Sequence, residues 1–586
     1  MQNNGREPGS AGPALSFDGF TFKYRSQSEA TLHRIRFSVR RGEKILIVGP
    51  SGSGKSTLAH CINGLIPHAF PGAASGNLTI GEFDALSLGI FDISKKVGTV
   101  LQDPDSQFVG LTAGEDIAFA AENDCIPVGE MKQRVLRTAG VLHIEGHLGK
   151  APQDLSGGQK QRVSLAGVLM DEVDILLFDE PLANLDPAAG QETIELIDWI
   201  HKNTGKTILI VEHRLEDVLH RPVDRIVVID QGWITADLPP GELLASDILR
   251  RTGIREPLYL TALRYAGETI IPEIQPDTPG NIRFDPEKLK QWDRDLPEHS
   301  PETQGPEILD IRGLSFHYPQ DLSRTPVLED ISFTLYQGEC VSLVGRNGAG
   351  KSTLAKIICG FNDPVTGKLR FDGRDLQTLS IKERSEYIGY VMQNPNQMIS
   401  FPMIFDEAAL GLRSRGMGEA EVKDRVYQTL QICGLYPFRN WPVSALSFGQ
   451  KKRLTIASIL VMGPSLLILD EPTAGQDFRH YSEIMEFLRT LNRNQGLSLL
   501  MITHDMHLML EYTTRAIVLS GGRLLADAAP AEVLTDDAVI EQASLKRTSL
   551  YDLAVRGGIE DPRTFVQGFI NFDRKVRDQE FPEGPR

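Results

Sequence analysis

A chain of 586 residues is too long for a single hydrophobic core, and 41% hydrophobic content is ordinary for a globular protein of several units. The net charge of −17 excludes a nucleic-acid binder that relies on a broad basic surface, because such binding gains its affinity by neutralising phosphates. No apolar run approaches the roughly 18 residues of a membrane-spanning helix, and Met1 to Pro13 lacks the charged-then-apolar pattern of a signal peptide. Cys61, Cys125, Cys340, Cys359 and Cys433 form no CxxC pair and no metal-ligand spacing, so buried thiols in a reducing compartment are expected.

After a flexible stretch over 1–14, apolar alternation at Leu15, Phe17, Phe20 and Phe22, then at Ile35, Phe37 and Val39, predicts short strands. The apolar run Ile45-Leu46-Ile47-Val48 then enters Gly49-Pro50-Ser51-Gly52-Ser53-Gly54-Lys55-Ser56-Thr57, and Leu58, Ile62 and Leu65 mark a helix beyond it. This is G-x-x-x-x-G-K-[ST], a loop whose backbone N–H groups wrap phosphates around the positions of Gly49, Gly52 and Gly54. Lys55 meets the β/γ-phosphates and Ser56 holds Mg²⁺. Further on, Leu155-Ser156-Gly157-Gly158-Gln159 opens a basic helix, whose N-terminal N–H groups and dipole suit an anion. The run Ile175-Leu176-Leu177-Phe178 ends in Asp179-Glu180. An apolar strand has no structural use for two acids at its end; Asp179 suits Mg²⁺ and Glu180 suits polarising the attacking water.

All of these signals return. Gly345, Gly348, Gly350, Lys351, Ser352 and Thr353 repeat the loop after Val341-Ser342-Leu343-Val344. Gln102 matches Gln393, Ser156 matches Ser447, Asp179 matches Asp470 and His213 matches His504, each 291 positions on. The second acid pair is Asp470-Glu471, and the second helix start is Leu446-Ser447-Phe448-Gly449-Gln450. A complete domain is duplicated in tandem. The expected organisation is a first domain over 15–250, a first tail over 251–267, a linker over 268–306, a second domain over 307–540 and a C-terminal tail over 541–586. The linker carries seven prolines and nine acids against four bases, which predicts a semi-extended segment. Leu258-Tyr259-x-x-Ala262-Leu263-Arg264 and Leu550-Tyr551-x-x-Ala554-Val555-Arg556 give each copy a tail, read either as a packed helix or as a contact between the halves.

With loop, signature and acid pair in this order in both copies, the chain resembles a tandem ATP-binding cassette protein over about 15–240 and 308–530. The resemblance implies an α/β fold: two P-loop NTPase domains, each with a RecA-like core, an antiparallel β subdomain and an α-helical subdomain. It implies two ATP molecules with Mg²⁺, each touching one copy's loop and the other's signature. One site would use Lys55, Ser56, Thr57, Gln102, Asp179, Glu180 and His213 with Ser447, Gly449 and Gln450. The other would use Lys351, Ser352, Thr353, Gln393, Asp470, Glu471 and His504 with Ser156, Gly158 and Gln159. Gln102 and Gln393 would join Ser56, Asp179, Ser352 and Asp470 around the metal, Tyr24 and Tyr318 would stack on adenine, and His213 and His504 would reach the γ-phosphate. Phe448 departs from the pattern by replacing the first signature glycine.

Gln102-Asp103-Pro104-Asp105-Ser106-Gln107 and Gln393-Asn394-Pro395-Asn396-Gln397 resemble the Q-N-P-D-x-Q segment of energy-coupling factor importer ATPases. That resemblance implies a peripheral subunit on the cytoplasmic face of the membrane. It would serve a membrane scaffold and a small substrate-binding membrane protein, with a vitamin, vitamin precursor or metal ion as cargo. The fused architecture is similar to that of hydroxymethylpyrimidine (thiamine-precursor) importers. Docking is expected around Gln107, Phe108 and Gln397. A soluble tandem cassette factor acting on ribosomes or nucleic acid, and the ATPase of a ribose or peptide importer, remain the alternatives; the acidic linker and the lack of zinc cysteines speak against the first, and no nucleic-acid partner is expected.

Overall fold

The alternating apolar residues of the first strand fill one side of a four-stranded antiparallel sheet. Leu15–Tyr24 lies between Leu32–Val39 and Gly72–Ile80, with Phe83–Asp84 at the edge. The computed structural model describes residues 12–102, 107–171, 173–183, 185–296, 305–319 and 325–580. Met1–Ala11, the Asp103-Pro104-Asp105-Ser106 part of the first glutamine motif, and Pro297 and Pro301 of the linker lie outside the described residues.

Near-continuous apolar runs form the second sheet of the first unit, as expected for strands buried on both faces. Its order is Trp233–Leu238, Arg225–Asp230, Lys44–Val48, Thr207–Val211, Ile175–Asp179 and Val97–Val100. All neighbours run parallel except the terminal hairpin. The second unit repeats both sheets: Leu328–Tyr336, Glu307–Phe316, Thr366–Phe371 and Arg374–Asp375, then the same six-stranded order read from its other edge. Each unit adds three packed helices before its acid pair: Ala113–Asn123, Val128–Val141 and Gly157–Met170 in the first, Ile404–Ser414, Glu419–Ile432 and Phe448–Leu460 in the second. The three-part domain expected from the sequence is therefore present twice.

An equivalent arginine ties the two sheets together in each unit. Arg225 binds Glu43 at 2.7 Å and Asp237 at 2.6 Å and donates to the Ser38 carbonyl; Arg515 binds Glu339 at 2.8 Å and Asp527 at 2.5 Å and donates to the Thr334 carbonyl.

The chain divides into two compact units, Met1–Leu185 with Ala189–Phe284, and Asp186–Ala188 with Asp285–Arg586. The 268–306 segment holds, in its described residues 268–296 and 305–306, more regular structure than its composition predicts. It holds a 3₁₀ turn at Pro272–Ile274 and a helix at Pro286–Asp295, with Ile270, Ile282, Leu289 and Trp292 buried. Pro286 occupies the first helical position, where a missing N–H costs nothing, and Asp285 accepts from Glu287 N to cap it. Its early part belongs to the first unit, where the Tyr259 hydroxyl donates to the Pro276 carbonyl at 2.6 Å. Its helix belongs to the second, where Trp292 meets Phe565, Phe569 and Phe572 of the helix Pro562–Glu580 edge-on at 5.8, 6.3 and 5.5 Å.

Both tails are packed helices, Leu258–Tyr265 and Ser549–Gly557, with Leu258, Tyr259, Ala262 and Leu263 buried in one and Leu550, Leu553 and Ala554 in the other. The cysteine expectation holds for Cys61, Cys359 and Cys433, whereas Cys125 is exposed at a helix end and Cys340 is half-buried at the start of a strand.

Candidate functional site

In a parallel sheet the loops that leave the carboxyl ends of adjacent strands converge on one edge. In the first unit those strands are Lys44–Val48, Thr207–Val211 and Ile175–Asp179, so the Gly49 loop, the Glu212-His213 segment and Glu180 emerge side by side. The ladder continues past the strand ends: Glu180 N donates to Val211 O at 2.8 Å and Glu212 N to Ile47 O at 3.0 Å. In the second unit Glu471 N donates to Ile502 O at 2.9 Å and Thr503 N to Leu343 O at 3.2 Å.

Each phosphate loop admits only glycine at its tightest points. A Cβ on Gly49 would lie 2.1 Å from the Ile229 carbonyl oxygen, and one on Gly345 would lie 2.0 Å from that of Leu519. Gly54 and Gly350 stand in the left-handed region at φ 104° and 98°, and no side chain caps the helix that either one starts. The first N–H groups of Lys55–Ile62 and Lys351–Cys359 thus have no side-chain cap competing for them and are suited to an oxyanion. The Lys55 ammonium folds back over its loop to the carbonyls of Gly49 (2.7 Å) and Pro50 (3.0 Å), as Lys351 does to Gly345 (2.7 Å) and Arg346 (3.0 Å). Burial pushes the Lys351 ammonium below its ordinary pKa.

Tyr24 and Tyr318 come to the same edge. Their hydroxyls lie 3.0 and 3.1 Å from the hydroxyls of Thr57 and Thr353, which links each ring to its phosphate loop. Phe70 stands edge-on to Tyr24 at 6.4 Å.

Glu180 and Glu471 share a feature that residue types do not reveal: both adopt positive φ, 49° and 48°. A non-glycine residue there is strained, and the surrounding sheet holds it. The turn ends the strand abruptly. Glu180 accepts from Gln102 Nε2 at 2.6 Å and lies 3.9 Å from His213 Nδ1; Glu471 is bonded to His504 Nδ1 at 2.7 Å. Gln393 is exposed, and the hydrogen bond that its counterpart makes has no equivalent among the described contacts of Glu471.

Burial pushes the Asp179 carboxyl up to about 6 and that of Glu180 to about 7, with the buried Glu212 as the next cause in both. Burial likewise raises Asp470, which accepts from the Tyr390 hydroxyl at 2.9 Å. Asp179 Oδ1 is buried without a hydrogen-bond partner, an unsatisfied anionic oxygen beside the loop. Such an orphan fits a hydrated divalent cation, and Ser56 with Asp179, or Ser352 with Asp470, would hold Mg²⁺.

The signature serines and glutamines form capping boxes. Ser156 accepts from Gln159 N while Gln159 accepts from Ser156 N at 3.0 Å, and Ser447 and Gln450 do the same. This preorganises the N-termini of Gly157–Met170 and Phe448–Leu460. A Cβ at Gly158 or Gly449 would only touch a neighbour, at 3.7 and 3.6 Å, whereas Phe448 is 45% exposed. Beneath the acid pairs the units differ again. Gln161 donates to the Pro181 carbonyl in the first, and the buried Lys452 donates to the Glu471 carbonyl at 3.2 Å in the second, its ammonium pushed down by burial to about 8.

Around the glutamine loops, Gln107 bonds back to its own strand, accepting from Leu101 N and donating to the Thr99 carbonyl, both at 3.3 Å. Phe108 is half-buried. The exposed apolar side chains next to it are Val109 and Leu111, at 66% and 82%. The loops, acid pairs and histidines read from the sequence lie together in each unit, and Glu212, Tyr390, Gln161 and Lys452 join them as contacts that the motifs do not announce. The 291-position offset pairs Glu212 with Thr503 and Gln161 with Lys452, so the mismatches were available as a signal.

The family model for ABC transporters matches residues 32–183 and 328–474, and one described as ATP-binding cassette cobalt transporter matches 246–316. A protein of Clostridium perfringens described as an ABC transporter ATP-binding protein is 57% identical over 96% of this chain and 99% of its own length. One of Enterococcus faecalis, similarly described, is 56% identical over 96% and 99%. A solved structure of cbiO1 from Clostridium perfringens, described as part of the ABC transporter complex cbiONQ, is 32% identical over 43% of this chain and 98% of that one, with a TM-score of 0.38. Two phosphate loops, two acid pairs and full-length relatives agree: the chain belongs to the ATP-binding cassette transporter family as a two-cassette ATP-binding subunit, an ATPase coupled to transport.

Proposed function

We propose that this subunit powers an importer of the energy-coupling factor type. The observation that supports this reading most directly is the match of residues 246–316, which span the end of the first unit and the connecting helix, to a family described as cobalt transporters. The glutamine-loop resemblance at Gln393-Asn394-Pro395 points the same way. ABC ATP-binding proteins work with membrane subunits, and none of the described helices is long and apolar enough to cross a membrane. The partners proposed are a helical membrane scaffold and a small substrate-binding membrane protein, reached from the cytoplasmic face. Two cargo classes follow from different features. The 246–316 match favours a divalent metal ion, and the fused pair of cassettes favours a thiamine precursor.

At each site the loop N–H groups and Lys55 or Lys351 bind the phosphates, and Tyr24 or Tyr318 takes the adenine face. Ser56 with Asp179, and Ser352 with Asp470, would hold Mg²⁺, which would supply neutralisation of the charge developing on the phosphates. Glu180 or Glu471 accepts the proton of the attacking water, and His213 or His504 contacts the γ-phosphate. The capping boxes hold Ser156, Gly158 and Gln159, and Ser447, Gly449 and Gln450, at helix N-termini suited to an anion.

Purification of the tagged chain from detergent-solubilised membranes, with identification of what accompanies it, tests the partners. A single scaffold and a small integral-membrane binding protein are expected. Ribosomal proteins, or a permease with a soluble binding protein, would overturn the importer type. Uptake of labelled cobalt against labelled hydroxymethylpyrimidine, in cells with and without the gene, separates the two cargo classes.

A further inference from the structure

In the first unit the strand Thr207–Val211 is followed by an acid that the second unit lacks. Glu212 is fully buried, and three backbone N–H groups hold its carboxylate. Its Oε1 accepts from Leu182 N at 2.9 Å, and its Oε2 accepts from His213 N at 3.0 Å and Arg214 N at 3.3 Å. Leu182 lies two residues beyond Glu180, and its carbonyl in turn accepts from Arg214 at 3.1 Å. The residues behind the proposed base and the residues around the γ-phosphate histidine are thereby joined by four hydrogen bonds through one buried carboxylate and one guanidinium. His213 Nδ1 is 3.9 Å from Glu180 on one side and 3.9 Å from Glu212 on the other.

The second unit has none of these groups in place. Thr503, Thr473 and Asp505 stand where the first unit has Glu212, Leu182 and Arg214. Thr503 accepts from Asp505 N, and Asp505 caps the helix Met506–Tyr512 instead. Its histidine reaches Glu471 directly at 2.7 Å. A charge-assisted network in a water-poor interior holds backbone more firmly than a neutral hydroxyl does.

We propose that Glu212 is a positioning residue of the first ATP site: its buried carboxylate locks the segment behind Glu180 to the His213 segment, so that base and histidine move as one piece, a lock the second site does without. The proposal deepens the assignment of Glu180 and His213 to ATP turnover and rests on it. The loss on breaking the lock falls on turnover rather than on nucleotide binding, because no atom of Glu212 belongs to the phosphate loop.

The test reads the two sites separately in the full chain. Photoreactive 8-azido-ATP is bound in the cold, or trapped with vanadate after turnover, and the labelled peptides carrying Lys55 and Lys351 are quantified. For Glu212→Gln, which keeps the shape but turns one acceptor into a donor, and for Glu212→Thr, which installs the second unit's residue, vanadate trapping at the Lys55 peptide should fall about tenfold or more. Cold binding at that peptide should stay within about twofold. Trapping at the Lys351 peptide should fall less. Equal trapping at the Lys55 peptide in wild type and both variants overturns the proposal, and so does loss of cold binding there in both, which would make Glu212 a fold-holding residue only. Glu180→Gln in the same assay keeps the two readings apart: normal trapping by that variant removes the base assignment, while the Glu212 variants are judged by their own labels.

Discussion

The two cassettes share one architecture down to the arginine that ties their sheets together, and differ where charge meets the reaction. Beside the first acid pair lies a further buried carboxylate, Glu212; beside the second lies a further buried ammonium, Lys452. The first unit raises Glu180 to about 7, where a carboxylate is a better proton acceptor, and engages it with a glutamine. The second engages Glu471 with a histidine over a buried ammonium. Duplication preserved the positions and let the electrostatics diverge, so equal turnover at the two sites is not to be expected.

The largest effect should come from removing either base. Glu180→Gln and Glu471→Gln are each expected to lower turnover at their own site by about 10² to 10⁴; site-resolved trapping measures both, and wild-type rates in both variants would end the base assignment. Next comes the buried ammonium. Lys452→Met removes one of the two donors to the Glu471 carbonyl, Ala474 N being the other, and should destabilise the second unit by about 1–2 kcal/mol in thermal unfolding. Lys452→Gln copies the first unit's Gln161 and should recover most of that loss, so failure to recover would show that charge rather than hydrogen bonding is what the second site needs. Smaller is Tyr390→Phe, which removes one hydrogen bond to Asp470 and should shift the Mg²⁺ concentration for half-maximal ATPase by about two- to fivefold. No shift would detach Asp470 from the metal. Chelation of Mg²⁺ by EDTA should abolish turnover in every variant. The smallest is Phe448→Gly, expected to change overall ATPase by about twofold; an unchanged rate would leave the aromatic substitution without consequence for turnover.

The fold was legible because its signals are local. A glycine loop between an apolar run and a helix, or two acids after four apolar residues, demands the same geometry wherever it occurs, and repetition removed chance. The same locality explains why the residues proposed for each site could be picked out in the sequence; Tyr24 and Tyr318 touch Thr57 and Thr353 across about thirty residues. Glu212 was not legible, because a single acid beside a histidine carries no motif and its burial is a tertiary property. The strain at Glu180 and Glu471 is a backbone property that no residue type announces outside glycine and asparagine. The order within 268–306 was missed because composition counts prolines without regard to place, whereas Pro286 starts a helix rather than breaking one.

Trp292 carries one consequence for how this gene could be taken apart. The indole covers Phe565, Phe569 and Phe572, so the helix that precedes the second cassette is a fitted component of that cassette's far end. Expressed separately from residue 307, the second half would bare an aromatic seam and tend to self-associate; begun at residue 285, it would carry its own cover. Trimming 285–296 would remove packing of the second unit rather than slack.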